Sequence, residues 1–84
     1  MKITLKLFAS LTDYLPPEAR YTNLIELDIA PQTTIAQLIA QHSLPDKLVH
    51  LVLVNGHFVA PEQRFSRTLI EGDVLAIWPP IAGG

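Results

Sequence analysis

The end of the chain, WPPIAGG, carries the residues whose types and spacing have the clearest chemical potential. Proline fixes φ near −65°, so Pro79 and Pro80 favour an extended path away from Trp78. Glycine has no Cβ, so Gly83 and Gly84 can thread a channel too narrow for any other residue. The only reactive group delivered in this way is the α-carboxylate of Gly84.

A frayed chain end is the alternative interpretation of these residues. Fraying favours polar residues, whereas Ile81 and Ala82 are apolar. Six residues after Trp78 span up to ~20 Å when extended. We therefore predict a folded domain over residues 1–78 and an extended, flexible tail over residues 79–84.

The histidines do not form a recognisable metal motif. His42, His50 and His57 lie eight and seven residues apart, and the chain has no cysteine. Zinc sites use closer ligand pairs and commonly thiolates. We expect solvated or edge histidines, with His42 at a helix end, and no metal site.

Other residue types with catalytic potential also lack a suitable context. Ser10, Ser43 and Ser66 stand outside any G-x-S-x-G sequence. Glu26 and Asp28 share one face of a predicted strand, and we expect that face to be solvated. The four glycines form no phosphate-binding loop. The sequence therefore indicates a chain without catalytic machinery.

Length and composition restrict the class of protein further. The 84 residues suffice for one domain. A net charge of −2 provides no basic stripe for nucleic acid. No apolar run approaches the ~20 residues that span a bilayer, and lysines interrupt the N-terminal MKITLKLF, so we expect a cytoplasmic protein. The hydrophobic fraction of 49% is high for so short a chain and predicts a partner surface.

Hydrophobic periodicity indicates the elements that position the tail. Apolar and polar residues alternate over residues 2–8 and 23–29, which predicts two half-buried strands. The continuous apolar run over residues 48–54 predicts a central strand that is covered on both faces. Asn55 and Gly56 predict a type I′ turn into a short strand at 57–60, and residues 71–73 predict another turn before a last strand at 74–78.

The helical signals are fewer. Thr34 and Gln37 have the spacing of a capping box at the start of a helix over 34–42. We expect a short helical segment at 9–15, with Ser10 at its N-cap and Leu11 and Leu15 on its buried side. The single long helix predicts an α+β domain in which a mixed sheet of about five strands packs on it.

Together these segments resemble the MoaD/ThiS family of sulfur carriers. The resemblance covers most of the chain: KITLKLFASL, the helix after APQTT, the VNG hairpin, LIEGDVLAIWPP and the terminal GG. The last block is most similar to the MoaD branch, the small subunit of molybdopterin synthase. The proline-containing DYLPPEARYTN is longer than this branch leads us to expect.

The resemblance implies a ubiquitin-like β-grasp fold and a function in sulfur transfer. An adenylyltransferase of the MoeB/ThiF type would adenylate Gly84, and a sulfur donor would then convert it to a thiocarboxylate. The tail, Pro79, Pro80, Ile81, Ala82 and Gly83, would insert into a large synthase subunit of the MoaE type, which receives the sulfur for molybdenum cofactor biosynthesis. ATP and the pterin belong to those partners.

The same fold predicts where partners bind. One helix covers one face of the sheet, so apolar residues on the other face would contact partners. Phe8, Phe58 and Trp78 are candidates because aromatic residues anchor interfaces. Core packing remains an equal alternative for Phe8 and Phe58. We expect nothing after Ile77 to pair in the sheet, because Pro79 and Pro80 lack amide donors.

Two further functions stay open at this point. A carrier for thiamine or cysteine synthesis would have the same tail but another acceptor. A β-grasp interaction module with an inert tail would never acquire sulfur.

Overall fold

The structure, a computed structural model, describes residues 1–80. It contains one α-helix, α1, together with five strands and four short 3-10 segments. The strands are β1 (Lys2–Leu7), β2 (Leu24–Asp28), β3 (Leu51–Val54), β4 (His57–Phe58) and β5 (Val74–Trp78), and α1 is Ile35–Gln41. The 3-10 segments are Ala9–Tyr14, Pro17–Ala19, Asp46–Leu48 and Pro61–Phe65.

The five strands form one mixed sheet in the order β2-β1-β5-β3-β4. β1 and β5 are parallel, and the other neighbouring strands are antiparallel. β5 is therefore the central strand, with a partner on each side. The helix α1 packs on one face, where Ile35 and Leu38 join the buried side chains of β1 in the main core. These features confirm the predicted α+β class and the mixed sheet on one main helix.

The start of α1 follows directly from its sequence. Thr34 Oγ1 accepts a hydrogen bond from the Gln37 amide at 3.1 Å, and Gln37 Oε1 accepts one from the Thr34 amide at 2.9 Å. This is the predicted capping box. His42 occupies the C-cap, as expected, and its Nδ1 lies 3.0 Å from the Leu38 carbonyl oxygen.

The turns that precede β4 and β5 lie where the sequence predicts them. Asn55 has φ 52° and Gly56 has φ 82°, the positive values that a type I′ hairpin turn requires. Gly72 has φ 85° in the turn before β5. Both turns lie at the same end of the sheet, because β3 ends where β5 begins.

The first 3-10 segment differs from the prediction at its cap. Phe8, not Ser10, is the N-cap, and no side chain caps the segment. The Leu11 amide donates to the Phe8 carbonyl at 3.1 Å, so the segment begins two residues earlier and Ser10 lies inside it. Leu11 and Leu15 are fully buried, as predicted.

The strand predicted over 48–54 begins only at Leu51. After Pro45 the chain forms a 3-10 turn, closed by the Leu48 amide on the Pro45 carbonyl at 2.9 Å. β3 is also second from the sheet edge, and Leu51 and Leu53 are only half-buried. The prediction of a central strand covered on both faces was therefore wrong, and β5 holds the central place.

The short strand predicted over 57–60 is also shorter in the structure. β4 covers His57–Phe58, and the chain then enters the 3-10 segment at Pro61. Within residues 1–80 no helix has the length and hydrophobicity that crossing a bilayer requires.

Candidate functional site

The sheet face opposite α1 is the candidate site, and we call it the helix-distal face. Successive side chains of a strand point to opposite faces, and Ile3, Leu5 and Leu7 point into the core. The strand register extends the opposite face across the sheet. Its members are Lys2, Thr4, Lys6, Phe8, Leu24, Glu26, Asp28, Leu51, Leu53, Phe58, Val74, Ala76 and Trp78.

The helix-distal face has an apolar half and a charged half. β3, β4 and β5 contribute Leu51, Leu53, Val74 and Phe58, and Phe58 is 61% exposed. Ala76 lies at the centre of this half and is buried, but it is not part of the main core. β1 and β2 contribute the lysines and carboxylates. An apolar patch beside charges of both signs is typical of a protein-binding surface.

Phe8 and Trp78 stack on each other at the end of β5. Their ring centroids are 4.0 Å apart and the ring planes differ by 7°. The Phe8 amide donates to the Ile77 carbonyl at 3.2 Å, which holds Phe8 beside the end of β5. Both rings are half-buried, and neither they nor Phe58 belong to the core cluster. All three side chains therefore lie on the helix-distal face and not in the core.

The chain leaves the sheet beside this aromatic pair. The His50 amide donates to the Trp78 carbonyl at 3.0 Å, so the expectation that pairing stops at Ile77 was wrong by one residue. Proline removes an amide donor, but the Trp78 carbonyl precedes Pro79 and still accepts. Pro79 is buried and Pro80 is exposed. The predictions for Ile81, Ala82, Gly83 and Gly84 lie outside the described residues.

The carboxylates of β2 are solvated, as predicted. Glu26 and Asp28 are both exposed. The Met1 amino group donates to Asp28 Oδ1 at 3.0 Å, and this hydrogen bond and the positive charge lower the pKa of Asp28 below its ordinary value of 3.8. Among the described residues, the Met1 amino group is the ion-pair partner of Asp28.

The histidines and serines also show no catalytic grouping. In the part of the chain that the structure describes, no three His, Asp or Glu side chains are placed to hold a metal ion. His50 and His57 are exposed, as are Ser10, Ser43 and Ser66.

The sequence does not predict two polar contacts, one near the tail exit and one between the two turns. Arg64 reaches the backbone of residues 49 and 50, and Asn55 bonds Asp73 across the two turns. The partners are 14 to 18 positions apart, and no periodic pattern links them. The proximity of Asn55 to Asp73 follows from the β3–β5 pairing once that register is known.

The sheet order, the single helix and the strand that delivers the tail define a ubiquitin-like β-grasp protein. The model of the ThiS family matches residues 6–84, so the chain belongs to the ThiS family of ubiquitin-like sulfur carriers. No curated protein matches it in sequence.

Solved structures with the same fold include three informative neighbours. SAMP1 from Haloferax volcanii is 23% identical, with a TM-score of 0.69 and full coverage of both chains. A putative molybdopterin converting factor subunit 1 from Pyrococcus furiosus is 18% identical, with a TM-score of 0.70 over 96% of this chain and 99% of that one. A chain in a complex of subunits 1 and 2 of molybdopterin-converting factor from Helicobacter pylori is 18% identical, with a TM-score of 0.61 and full coverage of both chains. At these sequence identities, the similarity to the three structures shows a shared fold.

Proposed function

We propose that the chain is the small, sulfur-carrying subunit of a molybdopterin synthase, and that Gly84 carries the sulfur. The observation that carries this proposal is the position of the Phe8–Trp78 stack, on the helix-distal face where the chain leaves the central strand. A partner that binds this face would receive the tail in the same encounter. Binding of the domain then supplies the energy that orders the tail.

The proposed chemistry takes place at the α-carboxylate of Gly84. A carboxylate is a poor electrophile, so one of its oxygens attacks the α-phosphate of ATP on an activating enzyme, and pyrophosphate leaves. A sulfur nucleophile at the oxidation level of hydrosulfide then attacks the acyl carbon and displaces AMP. The product is a thiocarboxylate. Its sulfur attacks the acceptor, and water then cleaves the acyl–sulfur bond, which leaves the sulfur on the acceptor and returns the carboxylate of Gly84. Glycine suits both steps because no Cβ blocks approach to the acyl carbon.

The helix-distal face supports the binding part of this cycle. Its apolar half offers Leu51, Leu53, Phe58 and Trp78 for contact, and its charged half offers Lys6 and Glu26 on the adjacent strands. Apolar contact supplies affinity, whereas charges on the rim select the partner and its orientation. We expect the activating enzyme and the large subunit to use this same face, and therefore to bind one at a time.

The likeness to the H. pylori neighbour supports the choice of acceptor, because that structure is a complex of subunits 1 and 2 of a converting factor. The family description favours a second candidate, a ThiS-type carrier for thiazole synthesis. The two proposals share the tail chemistry and differ only in the acceptor.

The decisive experiment is to purify the chain from its native host with a tag at the N-terminus, so that Gly84 stays terminal. Intact-mass spectrometry should show the exchange of one oxygen for sulfur at the C-terminus, and a large synthase subunit should co-purify. Co-purification of a thiazole synthase with the same mass change would support the second candidate. An unmodified mass in a host that is making both cofactors would contradict both and favour the interaction module with an inert tail.

A further inference from the structure

Arg64 lies in the 3-10 segment Pro61–Phe65. Gln63 stabilises the start of this segment. Its Oε1 accepts a hydrogen bond from the Ala60 amide at 2.9 Å, and its own amide donates to the Ala60 carbonyl at 2.9 Å. The turn directs Arg64 back to the residues that precede β3. Its side chain also lines a groove of about 370 Å³ between this segment and α1.

The guanidinium of Arg64 binds the backbone just before β3. Nη2 donates to the His50 carbonyl at 3.1 Å, and Nη1 makes a longer contact of 3.4 Å with the Val49 carbonyl. The same residue, His50, donates its amide to the Trp78 carbonyl at 3.0 Å. The His50 side chain is exposed and takes no part. One peptide segment thus joins Arg64 to the last residue before the prolines.

This placement of Arg64 has an energetic cost. Its Nε is buried without a hydrogen-bond partner, and it is the only such side-chain atom found in residues 1–80. Burial lowers the pKa of Arg64, although the charges of Asp46 and Glu62 oppose this change. Within the same residues Arg64 forms no ion pair. A buried, unpaired donor is unfavourable, so packing alone does not account for an arginine at this position.

We propose that Arg64 is a positioning residue for the tail, which fixes the His50 peptide and thereby the direction in which the chain leaves the sheet at Trp78. The fork of guanidinium donors suits this task, since it restrains two successive carbonyls at once. The biological part of this inference rests on the proposed function, because a fixed exit matters when the tail must enter a narrow channel. The structural part, restraint of His50 by Arg64, does not.

The test compares Arg64→Met and Arg64→Lys with Arg20→Met. Arg20 is a matched control, because its guanidinium also bonds two backbone carbonyls, those of Leu15 and Asp13, at 3.1 and 3.0 Å. Neither carbonyl belongs to β5 or to the segment paired with it. Methionine keeps most of the aliphatic stem, and lysine keeps the charge with a single donor group. Circular dichroism and urea unfolding establish that each variant folds.

Two readouts decide the proposal. The first needs no enzyme: the amide hydrogen exchange of His50 should accelerate about tenfold in Arg64→Met, the size expected for losing one charged hydrogen bond. It should stay unchanged in Arg20→Met. The second is adenylate formation with an activating enzyme from the same organism. KM for the carrier should rise several-fold in Arg64→Met with kcat unchanged, and Arg64→Lys should recover part of the loss.

The outcomes separate the two proposals. If wild-type chain is not adenylated, the proposed function fails, while the exchange of His50 still decides whether Arg64 restrains the exit. Unchanged exchange of His50 in both Arg64 variants would overturn the positioning role. An equal rise in KM for Arg64→Met and Arg20→Met would also overturn it, since general loss of stability would then explain the effect.

Discussion

Asn55 and Asp73 join two turns that are 18 positions apart in the sequence. Asn55 Nδ2 donates to Asp73 Oδ1 at 2.8 Å, and Asn55 Oδ1 accepts from the Val74 amide at 2.8 Å. The other oxygen of Asp73 accepts from the Ile70 amide at 2.9 Å. Asp73 is only 6% exposed, so these bonds satisfy a carboxylate that burial would otherwise penalise. The side chain of Asn55 therefore anchors the start of β5.

The first prediction distinguishes the contribution of the Asn55 side chain to stability from that of the turn conformation. Asn55→Gly keeps a residue that adopts positive φ freely but removes both side-chain hydrogen bonds. We expect the free energy of unfolding to fall by about 1–3 kcal/mol, the cost of leaving a buried polar group unpaired. Urea unfolding measures this change. No loss of stability would show that water replaces both bonds.

The second prediction concerns Gly56, which has φ +82° and open space around the position that a Cβ would occupy, with no atom within 4 Å of it. The backbone conformation of Gly56, and not a lack of space, therefore restricts which residues can replace it. Gly56→Val should destabilise the domain by about 1–2 kcal/mol, because a β-branched residue is strained there. Gly56→Asn is the control and should lose less, since asparagine tolerates positive φ. Sulfur transfer by the folded fraction should be unaffected; its loss with unchanged melting would give Gly56 a functional role.

The third prediction places the partner contact on the helix-distal face. Trp78→Glu or Phe8→Lys should weaken binding of the large subunit at least tenfold, as truncation of aromatic anchors commonly does. Each should lower the melting temperature only slightly, because both rings are half-buried. Phe65→Lys is the control: Phe65 is 76% exposed but lies in the 3-10 segment beside α1, outside the helix-distal face. Calorimetric titration measures binding, and equal losses of binding and stability would show that both rings stabilise the fold and do not anchor the partner.

The fourth prediction concerns the tail. Deleting Gly84, adding one residue after it, or making Gly83→Val should abolish adenylation while melting stays unchanged. Gly83→Val fails because a branched Cβ narrows the allowed backbone angles and widens the chain. Mass spectrometry of the adenylate or thiocarboxylate is the measurement. An extended variant that acquires sulfur without being trimmed would refute the carrier mechanism.

The prolines allow a finer comparison within the tail. Pro79 is buried and Pro80 is exposed. Pro79→Ala should therefore lower stability more than Pro80→Ala, whereas both should raise the ordering cost of docking by ~0.4–1 kcal/mol. Melting temperatures and partner affinities of the two single variants test this order.

The fifth prediction is a pH dependence at the edge of the sheet. The Met1 amino group lowers the pKa of Asp28 in the folded state below the ordinary value of 3.8. The resulting stabilisation is present above pH 3.8 and is lost as the pH falls through the lowered folded pKa. Asp28→Asn should therefore be slightly less stable than wild type at neutral pH, with the difference disappearing in strong acid and in high salt. Urea midpoints under these conditions measure it.

Short-range patterns accounted for most of the fold. The alternation of Ile3, Leu5 and Leu7, the Thr34–Gln37 capping box and the Asn55–Gly56 turn each specify local structure through neighbours a few residues away. The place of each strand in the sheet was not specified in this way. The run that contains Leu51 and Leu53 is typical of a central strand, but β5 takes that place through long-range pairing.

The candidate site was predictable in outline. Trp78 and Phe8 were identified as candidate surface aromatics, but their mutual stack depends on the parallel β1–β5 register. The 3-10 turn after Pro45 and the reach of Arg64 to His50 depend on loop geometry that hydrophobic periodicity does not encode. The Trp78 carbonyl still pairs because proline lacks an amide donor but leaves the preceding carbonyl free to accept.

β5 is both the last strand of the described residues and the strand that unites the sheet. Without it, β1–β2 and β3–β4 would be two separate antiparallel pairs with no hydrogen bonds between them, and isolated two-stranded pairs are marginally stable at best. Its pairing joins Thr4 to Val74, so folding awaits synthesis of nearly the whole domain. A chain stalled or cut before residue 74 therefore has no formed binding face. Copies whose synthesis stops before residue 74 therefore should not fold, and should not compete with intact chains for their partners.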